Sequence, residues 1–313
     1  MGKKYLITGG LGFIGKAITL SLLSKNNTVI IADNNFRKKK NDLKHKNLYV
    51  HKIDVRKKNQ LKKISKDIDS VIHLAFINGT NFFYEKPELV LEVGIKGIIN
   101  LIEVCEENFI KEFFLASSSE VYQNAPYIPT NERVPLSIPD PHNPRYSYAA
   151  GKLISEIMLL NSSIFERSVI FRPHNIYGPN MGYKHVIPEI ILKIFKSNQK
   201  LKIQGKGLNS RSFCYIDDFV SAFNLILKKG KHKNIYNIGT QEEIKIRDLV
   251  KRIIFISEKK LHIQNTKDIL GDVKRRCPDI LKLKKLGFKP KNNLNMGLKK
   301  TFEWYSKDIK GEL

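Results

Sequence analysis

Cysteine is scarce in this chain: three in 313 residues, at positions 105, 214 and 277. They are far apart and odd in number, which argues against a disulfide framework and against a structural zinc site, so no metal is expected. No uninterrupted apolar run reaches about 18 residues, the length that marks a membrane-spanning helix. The chain enters a strand-like apolar run, Lys4–Thr8, almost at once, which leaves no room for a signal peptide. No membrane partner is expected, and a reduced, cytoplasmic compartment is.

Acidic residues are also in short supply, 30 Asp+Glu against 55 Lys+Arg, for a net charge of +25. Such an excess can mark a nucleic-acid binder. Arginine, which base-reading surfaces favour, supplies only 11 of the basic residues, and the 44 lysines are spread over the whole chain. No nucleic-acid motif is visible. The charge reads as a lysine bias on solvated faces, with attraction for an anionic small substrate as a by-product. Hydrophobic residues make up 42%, ordinary for a globular protein, and this excludes bulk disorder, a collagen-like chain and a coiled coil.

What is present is a rhythm. Strand signals at 4–8, 28–32 (ending at Asp33), 47–53, 69–74, 112–116 and 169–172 alternate with helix signals at 12–26, 85–108 and 146–162. Alternation of this kind implies right-handed crossovers and a parallel sheet covered on both faces. After about residue 173 the rhythm changes. Helices near 186–197, 217–228, 246–256 and 295–306 are interleaved with short strands near 201–203, 212–216 and 234–238. The expected fold is α/β: a Rossmann-type, doubly wound parallel sheet over 1–173, with a smaller mixed α/β C-terminal substrate domain over 174–313 and some chain crossing between the two.

Gly9, Gly12 and Gly15 stand between the first strand and the first helix, in the run Gly9-Gly-Leu-Gly-Phe-Ile-Gly15. Glycines here permit a tight turn and let a pyrophosphate approach the backbone of Phe13 and Ile14 at the helix N-terminus. Asp33, ending the second strand, is placed to accept hydrogen bonds from ribose hydroxyls, which favours NAD over NADP. Arg37 and Lys38, in the basic loop Arg37–Lys40, pull toward NADP. On a helix over 146–162, Tyr148 and Lys152 share one face. The ammonium would lower the phenol's pKa, and a phenolate is a good general base for an alcohol. Ser117, Ser118 and Ser119 follow the strand 112–116, at the sheet edge where α/β folds present ligands.

The set Gly9, Gly12, Gly15, Asp33, Ser118, Tyr148 and Lys152 resembles the extended short-chain dehydrogenase/reductases, and within them the NAD-dependent nucleotide-sugar epimerases and dehydratases. Asp54-Val-Arg56, His73-Leu-Ala75, Arg172-Pro-His-Asn-Ile-Tyr-Gly-Pro179, Arg211-Ser-Phe-Cys-Tyr-Ile-Asp217 and Tyr236-Asn-Ile-Gly239 resemble the same family. The resemblance implies that Asp54 and Val55 contact adenine, that the Leu74–Phe76 backbone, with Leu74 and Ala75, passes beside the cofactor, and that Lys152 also holds the nicotinamide ribose. It implies that Asn175 and Arg211 hold the substrate's diphosphate, with Ser119 also on the substrate. The implied chemistry starts with Tyr148 taking the proton of the sugar's carbon-4 hydroxyl, oriented by Ser118, while hydride passes to NAD. Epimerisation, dehydration or decarboxylation can follow.

Three details bear on the branch. Family dehydratases carry Asp-Glu after the catalytic Ser/Thr; here the pair is Ser119-Glu120, so the leaving-group acid is missing. Ser119-Glu-Val-Tyr122 and Lys274-Arg-Arg-Cys-Pro-Asp-Ile280 resemble UDP-glucuronate decarboxylases, with Arg276 at their active-site arginine. Residues 123–144 do not follow that pattern, and Gly94 stands where the family usually has Asn. A 4-epimerase, acting as a homodimer, is the expected function, with a decarboxylase as the alternative. A non-catalytic NAD sensor or RNA binder is the rival from another class, opposed by the intact Ser118/Tyr148/Lys152 set.

Overall fold

The computed structural model describes residues 2–37, 43–266 and 273–312; Lys38–Lys40 of the basic loop lie outside the described residues. In chain order the elements begin β1 (Lys4–Thr8), α1 (Phe13–Leu23), β2 (Thr28–Asp33), β3 (Leu48–Lys52), α2 (Lys58–Ile64), β4 (Ser70–His73), α3 (Thr80–Glu85) and α4 (Pro87–Glu107). They continue with β5 (Glu112–Ala116), α5 (Ser147–Asn161), β6 (Arg167–Pro173), β7 (Ile176–Tyr177), α6 (Val186–Lys196), β8 (Lys200–Ile203), β9 (Ser210–Ser212) and β10 (Cys214–Tyr215). The last are α7 (Ile216–Lys229), β11 (Asn234–Ile238), β12 (Glu243–Lys245), α8 (Ile246–Ser257), β13 (His262–Asn265), β14 (Arg275–Arg276), α9 (Leu281–Lys285) and α10 (Leu294–Lys310). Short 3₁₀ turns cover Ser119–Tyr122 and Pro144–Tyr146.

Seven strands form one sheet in the order β11-β6-β5-β4-β1-β2-β3, and β1 to β6 pair in parallel. This is a Rossmann-type α/β fold. The order reverses between β1 and β4, and the carboxyl ends of strands beside such a switch point are where these sheets bind ligands. The strands β1, β2, β4, β5 and β6 are apolar and buried through their centres because both faces are covered. Leu6, Val71, Phe113, Leu115 and Ile170 share a core with Val90, Ile98 and Leu101 of α4 and Leu159 of α5. The alternate residues face the other way: Phe114 and Phe171 pack their rings against Phe223 of α7, with centroids 6.2 and 5.1 Å away.

The chain divides into two compact units, and neither is contiguous. One consists of Met1–Gln123, Pro135–Pro173 and Val220–Tyr236; the other of Asn124–Val134, His174–Phe219 and Asn237–Leu313. A single cut at residue 173 therefore differs from the observed division in two exchanged segments. In the second unit β9 pairs with both β12 and β14, β10 with β7, and β13 with β8. The helix read over 85–108 is α4, its start set by Pro87, which disfavours a helical residue before it; the short helix α3 ahead of it has no counterpart in the sequence reading.

Candidate active site

The glycine turn is tight for a visible reason. Gly9 sits at φ +73°, where an L side chain is strained, and its N–H donates to Ala32 O at 2.9 Å. A Cβ on Gly15 would come within 2.3 Å of Gly9 O, so only glycine lets α1 begin this close to the turn. Gly12 precedes α1 without a side-chain cap, and the first turn holds no acidic residue. Phe13 and Ile14 thus open a helix whose leading N–H groups are turned to the loop, a setting that fits an anionic group. Asp33 closes the turn from the neighbouring strand, its carboxylate accepting Leu11 N–H at 3.0 Å and Asn35 N–H at 2.8 Å.

The loop after β4 runs against this turn. A Cβ on Gly9 would lie 2.8 Å from Ala75 N, and Leu74 N–H donates to Thr8 O at 3.0 Å. Asp54 receives Arg56 Nε at 3.0 Å and Nη2 at 2.8 Å, and Asn34 Nδ2 at 3.2 Å. These bonds, Arg56 foremost, hold its carboxyl down at about 2. Val55 is buried against Gly97, and its carbonyl accepts Asn100 Nδ2 at 2.9 Å.

Tyr148, Ser118 and Lys152 meet over the end of β5. Ser118 caps the 3₁₀ turn Ser119–Tyr122, its Oγ accepting Glu120 N–H at 3.2 Å, and the same side chain favours the ionised form of the Tyr148 phenol. Ser119, next in the turn, is buried. The Tyr148 ring is gripped between two phenylalanines, stacked on Phe83 at 5.0 Å and 17° and met edge-on by Phe76 at 5.0 Å and 82°. Lys152 Nζ donates to Ala116 O at 2.6 Å and lies 4.2 Å from the centroid of the Phe76 ring.

One expectation is corrected here. The Lys152 ammonium was expected to lower the phenol's pKa. Instead burial pushes the Tyr148 pKa above its ordinary value; the Ser118 hydrogen bond and, more weakly, Arg37 oppose the rise, while Glu120 adds to it. Burial pushes Lys152 itself down to about 7. The two groups share a helix face as predicted, but Nζ turns to the β5 carbonyl, 5.8 Å from the Tyr148 ring centroid. Sequence reasoning placed the Phe76 backbone beside the cofactor but gave its ring no role, and it passed over Phe83 and the buried Arg172–Glu156 pair, of which only Arg172 stood in a motif.

Three of the predicted substrate residues, Asn175, Arg211 and Arg276, lie in the second unit, whereas Ser119 lies in the first. Asn175 adopts φ +43°, and its Nδ2 donates to Ser212 O at 2.9 Å. Ser212 follows Arg211 on β9. Arg211 stands directly opposite Arg276 on the parallel strand β14, and its Nη1 donates to Ser210 O at 2.8 Å. The adjacent Arg275 is instead held by the Glu243 carboxylate at 2.9 and 2.7 Å. The register places two arginines at adjacent positions of neighbouring strands, and arginine is the residue type that suits phosphate oxygens.

Comparison with known proteins shows the family. A family model described as NAD dependent epimerase/dehydratase family matches residues 5–239. A curated dTDP-D-glucose 4,6-dehydratase of Dictyostelium discoideum is 36% identical over 277 residues, 82% of this chain, and the match spans 62% of that relative's length, less than two thirds. A putative UDP-glucose 4-epimerase of Methanocaldococcus jannaschii is 33% identical over 96% of this chain and 97% of its own. Among solved structures, a UDP-N-acetylglucosamine 4-epimerase from Methanobrevibacter ruminantium, in complex with UDP-N-acetylmuramic acid, superposes with TM-score 0.88 at 30% identity, covering 98% of this chain and 99% of that one.

Proposed function

The chain belongs to the NAD-dependent epimerase/dehydratase family, and on that footing we propose that it is a nucleotide-sugar 4-epimerase working through transient oxidation at carbon 4. The observation that carries the reading is the convergence of Ser118, Tyr148 and Lys152 at the end of β5, with Ser118 favouring the ionised phenol and Lys152 Nζ bonded to Ala116 O. NAD, the family's cofactor, supplies a reversible hydride acceptor when bound. The turn Gly9–Gly15 with Phe13 and Ile14 would hold its pyrophosphate, Asp33 the ribose hydroxyls, Asp54 and Val55 the adenine edge, and Leu74 and Ala75 the wall behind it.

Ser118 would orient the sugar hydroxyl and Tyr148 would take its proton. A phenol raised by burial is a weak acid, so its phenolate, once formed, is a strong base. A second cation brought close by the ligand would bring the phenol back toward neutral pH. Asn175 and Arg211 would bind the diphosphate. Epimerisation needs nothing beyond Ser118, Tyr148 and Lys152, whereas 4,6-dehydration needs an acid where Ser119 stands.

Decarboxylation of a sugar acid is the second reading. It is favoured by Arg276, which stands beside Arg211 and adds a cation beyond the needs of one diphosphate. The test is incubation with NAD and a panel of UDP-, GDP-, CDP- and dTDP-sugars, read by mass and NMR. Inversion without mass change supports the epimerase; loss of carbon dioxide or of water assigns the other branches.

The active protein is a cytoplasmic homodimer in this reading, with no nucleic-acid or membrane partner. All three cysteines are buried as free thiols, which suits a reducing compartment. Helix α5 exposes Ile154 (38%) and Ile157 (52%) beside α4, an apolar face that a second copy would cover. Light scattering of Ile157→Lys against the parent protein tests the dimer.

A further inference from the structure

The inference that follows rests on the reading that Tyr148 and Lys152 carry the chemistry, and concerns a residue with no polar atom in its side chain. Phe76 lies three residues beyond the end of β4. Its ring touches both groups, 4.2 Å from Lys152 Nζ and edge-on to Tyr148 at 5.0 Å between centroids. It fits there because two helices give way. A Cβ on Gly94, inside α4, would come within 2.1 Å of Phe76 Cζ and 2.4 Å of Cε2. A Cβ on Gly151, inside α5, would come within 2.8 Å of Cζ. Glycine is a poor helix former, and both helices carry it at the points where the ring enters. Ordinary packing would be met more cheaply by alanine in the helices and a smaller side chain at 76.

We propose that Phe76 is a positioning residue of the active site, whose ring, seated in the notch of Gly94 and Gly151, holds the Lys152 ammonium and the Tyr148 phenol in register and shields Nζ from water. The ring face occupies one side of Nζ and Ala116 O another. The remaining ionisable groups that act on Lys152 are Glu156, one turn along α5 and paired with Arg172 of β6, and His73 of β4, with Tyr148 a turn before. Glu156 and His73 are held by hydrogen bonds of their own, to Arg172 and Thr8, that do not involve Phe76. Water hydrates an ammonium better than a ring face does, so removing the ring lets Lys152 hold its proton to higher pH.

Four variants test this: Phe76→Ala, Phe76→Leu, Gly94→Ala and the double variant Phe76→Ala/Gly94→Ala. In apo protein labelled with ¹⁵N-lysine, the Lys152 resonance is assigned by its loss in Lys152→Arg. Its titration midpoint, near 7 in the parent protein, rises by about one unit or more in Phe76→Ala. Phe76→Leu refills the volume and keeps the melting temperature, yet turnover falls roughly ten- to hundred-fold while NAD affinity stays within about threefold. Gly94→Ala pushes the ring aside and lowers turnover similarly, and adds nothing in the Phe76→Ala background, the mark of coupled sites. An unmoved Lys152 midpoint in Phe76→Ala, or full turnover in Phe76→Leu, would show the ring to be mere filling. The titration needs neither NAD nor sugar. A parent protein inactive on every nucleotide sugar would therefore overturn the functional reading while the titration still decides the role of Phe76.

Discussion

The Arg172 guanidinium lies against the Glu156 carboxylate inside the first unit, Nε to Oε1 at 2.8 Å and Nη2 to Oε2 at 2.6 Å, with both side chains almost wholly buried. Its third arm, Nη1, donates to the Tyr122 hydroxyl at 2.8 Å. One cation thus joins β6, the helix that bears Tyr148 and Lys152, and the end of the 3₁₀ turn that bears Ser119 and Glu120. Glu156→Ala leaves a buried guanidinium uncompensated and is expected to cost about 3–5 kcal/mol. Replacing Arg172 and Glu156 together by Met and Leu should cost far less. Urea denaturation of the two variants and the parent protein checks this, and equal losses would refute it.

Tyr148→Phe keeps the ring between Phe76 and Phe83 and removes only the hydroxyl. Fold and NAD affinity should persist, while turnover falls about 10²–10⁴-fold, the usual contribution of a general base. Near-normal turnover would remove Tyr148 from the mechanism.

Glu120 is fixed by its own backbone, its N–H on Ser118 and its carbonyl on Gln123 Nε2 at 2.6 Å, and its charge disfavours the Tyr148 phenolate. Glu120→Gln removes that charge at constant shape. If the carboxylate serves at the reacting end, as the decarboxylase reading requires, turnover falls with little change in substrate affinity. A variant unchanged in both measures would leave Glu120 a structural residue and take away that reading's main support.

Asp33 spends its carboxylate on two backbone N–H groups of its own turn, so its charge is fixed where a 2′-phosphate would lie. Calorimetric titration should find NAD bound more tightly than NADP, by roughly 1–3 kcal/mol on the scale of a like-charge clash at a partly buried site. Equal affinity, or a preference for NADP, would show that Arg37 and its neighbours outweigh Asp33.

His73 is buried with Nδ1 2.6 Å from Thr8 Oγ1, and burial, helped by the Lys152 charge, pushes its pKa down to about 3. The folded ring stays neutral while the unfolded chain takes up a proton below about 6.5. Stability from this residue is therefore present above pH 6.5 and is lost as pH falls toward 3, by up to about 1.4 kcal/mol per unit. His73→Asn should flatten the pH dependence of the urea midpoint in that window. Superimposable slopes for variant and parent would contradict the assignment.

The strands of the first unit and its long helices α1, α4 and α5 were legible because their periodicities are unmixed, with apolar centres in β1, β2, β4, β5 and β6; the short helices α2 and α3 were not read. The second unit was less so. Its strands β7, β10 and β14 are two residues long, too short to show any period. Within the site, the residues that bear polar chemistry announced themselves by type and spacing. Phe76, Phe83 and Glu156 did not, since an aromatic or an acid on an apolar background looks the same in sequence whether it fills space or aims a neighbour. The orientation of Lys152 was equally hidden. Helical spacing fixes which face a side chain leaves from, but a four-carbon stem can turn its ammonium to Ala116 O as readily as to a phenol.

The exchanged segments have a consequence for the protein's synthesis. β11, the strand that borders β6, is made only after the 46 residues His174–Phe219 of the other unit. A nascent chain that has just released Pro173 offers β6 as a bare, unpaired edge, the kind that invites pairing with a neighbouring chain. The first unit cannot finish folding on the ribosome until residue 238 has emerged. A fragment ending at residue 173 should accordingly aggregate, whereas supplying residues 216–238 in trans should rescue it.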